Sequence, residues 1–153
     1  MQLNPIELRV LGALLEKCLA TPNLYPLTLN SLTLACNQST SREPVTDYNE
    51  ELVLETLNEL REKRLVIQHL GARANKYSQT LSLMADISPQ QLAVLAVLML
   101  RGPLTAGDLR QRTERMADFV DLPAVQAAMD GLATRQPPLA APMAKRADRK
   151  SVV

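Results

Sequence analysis

Apolar residues recur every three to four positions in six segments of the chain, and these segments form two similar sets. Pro5 and Leu11 of the first set return 84 positions later as Pro89 and Leu95. The run Pro-Leu-Thr at residues 26–28 returns at residues 103–105. The segments recur in the same order, while the connections between them shorten. The pattern therefore predicts two copies of one small helical unit.

The first copy is predicted to hold three helices and a β-hairpin. Asn4 and Glu7 form a capping-box pattern, so a helix starts there, and it ends before Pro22. A second helix starts at Thr28, and a third covers residues 49–63. Residues 65–67 and 76–78 are short strand-like runs joined by a turn. An angled helix pair followed by a hairpin predicts a winged helix-turn-helix.

The second copy repeats this order. Helices are predicted at residues 88–100, 105–112 and 122–135, followed by a first wing strand at residues 139–143. Because three residues, 151–153, remain for the return strand, the second wing is expected to be incomplete. The predicted fold is mainly α with small β-hairpins, as tandem winged helix-turn-helix domains at residues 1–83 and 84–153.

Composition limits the compartment and the kind of core. Apolar residues make up 46% of the 153 positions and aromatic residues 3%, so the cores must be aliphatic. The longest apolar run, residues 92–100, is far shorter than the roughly 20 residues that a membrane span needs. The N-terminus is too charged for a signal peptide. Cys18 and Cys36 lie on apolar helix faces, which favours reduced thiols over a disulfide and indicates a cytoplasmic protein without a membrane partner.

Several local motifs resemble those of one bacterial protein family. They are Leu3-Asn4-Pro5-Ile6-Glu7, Val10-Leu11-Gly12-Ala13-Leu14, Tyr25-Pro26-Leu27, Ala35-Cys36-Asn37-Gln38 and Ser41-Arg42-Glu43-Pro44-Val45. This set resembles the YceH-like family of bacterial proteins of unknown function, densely over residues 3–70 and more loosely to about residue 150. The resemblance implies a tandem winged-helix fold in a cytoplasmic protein without an assigned activity. Family members usually continue beyond this C-terminus and complete the second wing.

The sequence contains no pattern that indicates catalysis, a cofactor or a metal. His69 is the sole histidine and has no cysteine or carboxylate at ligand spacing. The five glycines do not form a phosphate-binding loop. Ser39 and Ser41 have no base near them in sequence, so a nucleophile is not supported. We therefore expect a protein that is not an enzyme and has neither cofactor nor metal.

The charged residues give arguments both for and against DNA binding. In a helix-turn-helix the last helix enters the major groove, yet the third helix here begins with Glu50 and Glu51 and is acidic along its length. The net charge of +1 adds no general attraction to polyanions. The candidate nucleic-acid contacts are instead basic residues of the wings, namely Arg73, Lys76, Lys145, Arg146, Arg149 and Lys150. Solvated hairpin tips are the simpler interpretation of the same residues.

The polar segment at residues 37–47 is a candidate recognition loop. Its proposed contact residues are Asn37, Gln38, Ser41 and Arg42. One interpretation is structural, with Asn37 ending the helix and hydroxyls satisfying turn backbone. The other is functional, with Arg42 binding a carboxylate or phosphate of a ligand. If Arg42 instead orders the loop, its expected partners are backbone carbonyls or a nearby carboxylate of Glu43, Asp47 or Glu50.

These observations leave two functions open. The first is a cytoplasmic, non-enzymatic binding module, in the form of a winged-helix regulator associated with DNA. The alternative is a protein–protein interaction scaffold that uses winged helices as packing units and does not bind DNA. The fold favours the first and the charge pattern favours the second. A homodimer is compatible with both, because small aliphatic domains often leave apolar faces to cover.

Overall fold

The computed structural model describes residues 2–135, 137–142 and 151–153, and this part of the chain is mainly helical with two small antiparallel sheets. The helices are α1 (Pro5–Ala20), α2 (Leu29–Asn37), α3 (Glu50–Glu62), α4 (Pro89–Arg101), α5 (Ala106–Arg112) and α6 (Leu122–Thr134). The strands are β1 (Leu27–Thr28), β2 (Val66–His69), β3 (Lys76–Gln79), β4 (Ala141–Pro142) and β5 (Ser151–Val152). Short 3₁₀ turns cover Pro22–Leu24 and Leu81–Leu83. The predicted helix positions are confirmed to within about a residue or two at each end.

Side-chain caps determine where the helices start. The Oδ1 of Asn4 accepts a hydrogen bond from the Glu7 backbone N–H at 2.8 Å, and the Glu7 carboxylate accepts one from the Asn4 N–H at 3.0 Å. Ser88 and Thr105 form the same reciprocal arrangement at the starts of α4 and α5. Each capping box pairs backbone N–H groups that have no partner inside the helix. The predicted capping box of α1 is thereby confirmed.

The first half contains a three-stranded sheet in the order β1-β3-β2. β2 and β3 form the predicted hairpin, in which Val66 pairs with Gln79 and His69 with Lys76. β1 adds a third strand through the pairs Leu27–Tyr77 and Thr28–Lys76. The pairing of this third strand was not predicted from the sequence. The sheet thus joins the segment before α2 to the hairpin after α3.

The second half contains the same order of elements with a much shorter sheet. Gly102 ends α4 with a φ of 83°, a backbone conformation that favours glycine, and Pro103 follows it. β4 and β5 are joined by two residue pairs, Ala141–Val152 and Pro142–Ser151. The strand predicted at residues 139–143 is observed as β4, which begins two residues later than predicted, while residue 143 lies outside the described residues.

Helices α1 and α4 pack against each other and form the centre of the molecule. Residues 10–15 of α1 and 92–100 of α4 are buried around the whole helix circumference. The two helices lie close together at Gly12, where a Cβ atom would lie 2.9 Å from the Cβ of Met99. One continuous apolar cluster runs through both halves and includes Leu57 of α3 and Leu132 of α6. The division at residue 83 stays a prediction, because the two halves share this core.

Within the described residues, no helix is both long enough and apolar enough to cross a membrane. The longest, α1, has 16 residues and carries Glu7, Arg9, Glu16 and Lys17.

Candidate functional site

The polar loop after α2 is fastened to α1 by Arg42. The guanidinium of Arg42 donates two hydrogen bonds to the Glu16 carboxylate, at 3.0 Å from Nη1 to Oε2 and 2.8 Å from Nη2 to Oε1. It also donates to the backbone carbonyls of Ala35, at 3.0 Å, and Ser41, at 2.9 Å. Backbone carbonyls were expected partners. The carboxylate, however, is that of Glu16, because the loop folds back onto α1 rather than along itself.

A second buried arginine holds the other end of this loop. Arg9 of α1 donates from Nη1 to the Cys36 carbonyl and to the Thr46 hydroxyl oxygen, each at 3.0 Å. Its Nη2 donates to the Pro44 carbonyl at 2.6 Å. Burial lowers the pKa of Arg9 below its usual range, with the nearby charge of Arg42 acting in the same direction. The loop is therefore held between two arginines and is an ordered part of the fold.

The other predicted loop residues, Asn37, Gln38 and Ser41, are all half-exposed. Asn37 fixes the loop, since its Nδ2 donates to the Tyr48 carbonyl at 2.7 Å and its Oδ1 accepts from the Tyr48 N–H at 2.9 Å. Gln38 accepts from Lys17 Nζ at 3.2 Å. Ser41 adopts a φ of 59° and its side chain faces the second half. All three side chains thus have intramolecular partners, as the buried Arg42 does.

The electrostatics of this loop centre on Glu16, which is 2% exposed in its side chain. Burial alone would raise the pKa of this carboxyl group. The hydrogen bonds and charge of Arg42, together with Lys17 and Arg115, outweigh burial and hold the pKa below its ordinary value of 4.5. Glu16 is therefore ionised at neutral pH and serves as the counter-ion of Arg42.

The structure brings a set of cations together that the sequence analysis missed. We call it the seam cluster: Lys17, Arg101, Arg112 and Arg115, at the junction of the two halves. Arg115 reaches across this junction, with Nη2 at 3.3 Å from the Glu16 carboxylate and 3.4 Å from the Ser41 hydroxyl. Burial and then the charges of Arg112, Arg42 and Arg115 lower the pKa of Arg101. No sequence signal indicates this set, because its members come from distant segments.

The outer face of α3 is acidic along its whole length. Its exposed glutamates are Glu50, Glu51, Glu55, Glu59 and Glu62. Leu54 lies among them and is 37% exposed. The exposed basic residue within α3 is Arg61, in the last turn. Lys63, just past the helix, pairs with the buried carboxylate of Glu7 at 2.6 Å. This carboxylate neutralises part of the positive charge of Lys63.

The predicted wing contacts lie in different parts of the chain. Arg73 and Lys76 are exposed, in the turn and at the start of β3 of the first hairpin. Lys76 is paired in register with His69. The predicted contacts Lys145, Arg146, Arg149 and Lys150 lie outside the described residues. The first hairpin therefore presents two cations to solvent on the same short sheet.

His69 and Cys36 are candidate side chains for metal binding or nucleophilic chemistry. The Nε2 of His69 lies 2.8 Å from the Ser78 hydroxyl across the hairpin. Among the residues that the structure describes, no three His, Cys, Asp or Glu side chains are arranged to hold a metal ion. Burial raises the pKa of the Cys36 thiol to about 12, despite the opposing charges of Arg42 and Arg9. This thiol is protonated at neutral pH and is a poor nucleophile.

Comparison with known proteins places this arrangement in a family. The UPF0502 protein of Geobacter sulfurreducens is 49% identical over 149 residues, which cover 97% of this chain and 68% of that protein. The UPF0502 protein of Cellvibrio japonicus is 50% identical over 136 residues, which cover 89% and 62%. That of Geotalea uraniireducens is 48% identical over 151 residues, which cover 98% and 69%. The chain thus spans about two thirds of the length of these relatives.

A profile described as "Protein of unknown function, DUF480" matches residues 3–149, which include both halves, the anchored loop and the seam cluster. The match covers nearly the whole of this chain. The chain therefore belongs to the DUF480 family of uncharacterised bacterial proteins.

Proposed function

We propose that this chain is a cytoplasmic, non-enzymatic module built from two winged-helix units, and that it binds a protein partner through the outer face of α3. The order of elements supports the winged-helix assignment. Each half has one helix, then a helix pair, then a two-stranded hairpin. In the first half β1 also pairs with the hairpin, so the sheet connects both ends of the helix pair.

The observation that carries the proposal is the charge of α3. In a DNA-reading helix-turn-helix, this helix lies in the major groove with its first residues against base edges. Here the exposed residues of the first turns of α3 include Glu50, Glu51 and Glu55. Each carboxylate would face the phosphate backbone in a groove where the potential is strongly negative. An acidic helix in this place is suited to a basic protein surface instead.

The composition of the face indicates the chemistry of the partner. Leu54 is exposed between Glu50 and Glu55 on one side and Asn58 on the other. Apolar contact at the centre of an interface, with charges around it, is the usual arrangement of protein–protein contacts. A partner segment with lysines or arginines around an apolar side chain would match this face. Charge complementarity would then increase the association rate and select the orientation.

Capture experiments with charge variants test the proposal. The variant Glu51→Gln/Glu55→Gln/Glu59→Gln removes three charges from α3, and Glu114→Gln/Asp118→Asn/Asp130→Asn removes three exposed charges elsewhere. Immobilised chains are incubated with bacterial extract treated with nuclease, so that nucleic acid cannot bridge proteins. We expect a protein that the unchanged chain and the control retain and the α3 variant loses. Identical captured sets, or no captured protein, contradict the proposal.

A second candidate function is a DNA-associated regulator that binds through its hairpins. It is favoured by the exposed cations Arg73 and Lys76 on the first hairpin. Wing residues can contact phosphates or a narrow minor groove without help from the helix. Binding of a duplex that disappears in Arg73→Gln/Lys76→Gln but is unchanged in the α3 variant would favour this function. A homodimer stays a prediction for either function.

A further inference from the structure

The seam cluster is formed by two halves of the chain that meet at α1 and α4. Lys17 comes from α1, Arg101 is the last residue of α4 and Arg112 is the last residue of α5. Arg115 follows α5 and touches both Glu16 and Ser41 of the first half. The loop of the first half is joined to α4 directly, because the Glu43 N–H donates to the Leu100 carbonyl at 3.0 Å. The cluster therefore exists only when the halves are packed together.

The positive charge of this cluster exceeds what its carboxylate can neutralise. Glu16 lies within 4 Å of Lys17, Arg42 and Arg115, at 3.5, 2.8 and 3.3 Å. Arg42 makes the shortest contact and binds it at two points, so the carboxylate is already matched by one cation. The single negative charge of Glu16 is therefore shared by Arg42, Lys17 and Arg115, which leaves the cluster with an excess of positive charge. Clustered like charges repel one another and reduce stability unless an anion is bound between them.

The cluster is open to solvent where a ligand would need it. The Arg115 side chain is 54% exposed and that of Lys17 is 22% exposed. Arg112 is also exposed, whereas Arg101 is half-buried. The rim adds neutral hydrogen-bonding groups, since Gln38 and Ser41 are both half-exposed. The surface can therefore accept an extended anion that lies across the junction.

We infer that the seam cluster binds the phosphate backbone of a nucleic-acid duplex, independently of its base sequence. Three of its four cations are arginines, whose planar guanidinium groups match phosphate oxygens at two points. Hydroxyl and amide groups such as those of Ser41 and Gln38 commonly complete phosphate contacts. The cluster offers no geometry for reading bases, because its charged ends come from helix termini and a loop. This inference is separate from the proposed role of α3.

A titration of the chain with a fluorescently labelled duplex of arbitrary sequence tests the inference. Two or three phosphate contacts predict a slope of about −2 to −3 for log K against log salt concentration. In Arg112→Gln/Arg115→Gln the affinity should fall at least about tenfold and the slope should become shallower by about 1–2. Arg112→Lys/Arg115→Lys keeps the charge and should retain most of the salt slope. Thermal unfolding of each variant shows that it is folded.

The matched control is Arg61→Gln/Arg73→Gln, which removes the same charge from α3 and the first hairpin. We expect it to bind the duplex as the unchanged chain does. An equal loss in this control assigns the binding to α3 or the hairpin and overturns the inference. The inference is also overturned if the unchanged chain does not bind the duplex, or if it binds a polyglutamate peptide in preference to the duplex. None of these outcomes depends on the glutamates of α3, so the two proposals can fail separately.

Discussion

Arg42 and Glu16 form a two-point ion pair in the interior, with oxygen–nitrogen distances of 3.0 and 2.8 Å. Their side chains are 0% and 2% exposed. The residues lie 26 positions apart, so the pair joins the loop after α2 to the middle of α1. Because neither charge is solvated, each depends on the other for its stability inside the protein.

Removing one member of this pair should destabilise the protein severely. In Arg42→Met or Glu16→Gln the remaining group is left buried with fewer partners, which typically costs about 3–5 kcal/mol of unfolding free energy. The double variant Arg42→Met/Glu16→Gln should lose less than the sum of these two single replacements, because neither buried charge of the pair remains. Urea unfolding measures these differences.

The control for this prediction is the pair of Asp86 and Arg135, at 2.9 Å. Asp86 is solvent-exposed, so Asp86→Asn should barely move the unfolding midpoint. If the unfolding midpoint of Arg42→Met differed from that of the unchanged protein as little as the midpoint of Asp86→Asn does, the structural role of Arg42 would be contradicted.

The same pair predicts how stability changes with pH. Burial favours the neutral form of Glu16, but Arg42 outweighs it, so the pKa is below 4.5 in the folded state. A lowered carboxyl pKa contributes stability above the pKa of the unfolded chain, and this contribution is lost as pH falls through the folded value. The free energy of unfolding should therefore decrease as the pH is lowered below about 4.5.

Urea titrations at a series of acidic pH values check this dependence. Glu16→Gln should show a weaker dependence in that range, because it has no carboxyl group to protonate at this position. Glu7, whose pKa is also lowered by its hydrogen bonds and Lys63 despite burial, should account for part of the remaining slope. Parallel curves for the variant and the unchanged protein would show that Glu16 is not the titrating group.

The contact between α1 and α4 should not tolerate a methyl group at Gly12. A Cβ there would lie 2.9 Å from Met99 Cβ and 3.1 Å from Leu100 Cγ, which are atoms close to the backbone. Overpacking is expected to cost about 1–3 kcal/mol of stability. This cost should exceed the gain of roughly 1 kcal/mol that alanine has over glycine in a helix. Gly12→Ala is therefore expected to lower the melting temperature.

Gly107 of α5 provides the comparison. A Cβ there would have as its nearest neighbour the Thr105 hydroxyl oxygen at 3.9 Å. Gly107→Ala should raise stability by about 0.4–1 kcal/mol, because it restricts the unfolded chain without a clash. If both variants shifted the melting temperature in the same direction, the close packing of α1 on α4 would be wrong.

The two thiols should differ in reactivity. Cys36 is buried and its pKa is raised to about 12, whereas Cys18 is half-buried. In a Cys18→Ser background, a thiol reagent at mildly alkaline pH should label Cys36 only as fast as the protein unfolds. In a Cys36→Ala background, the same reagent should label Cys18 faster. Rapid labelling of Cys36 in the native protein would contradict its burial.

Local structure could be predicted from local sequence because its causes are close along the chain. The α1 start depends on Asn4 and Glu7, three positions apart, and its end on Pro22. The β2–β3 hairpin follows from two short strand-like runs and the turn between them. The pairing of β1 could not be predicted, because its partner residues Tyr77 and Lys76 lie some 50 positions away.

The six helices, the first hairpin and the acidity of α3 could be predicted from the sequence alone, because periodicity, caps and charge are properties of neighbouring residues. The ion pair of Arg42 with Glu16, and the junction at which Arg101, Arg112 and Arg115 lie near Lys17, become visible only in the folded molecule. Ion pairs and charge clusters depend on distances in space, and these are set by how α1 packs on α4. The apolar face that forms this contact can be recognised in the sequence, but its register and its charged rim cannot.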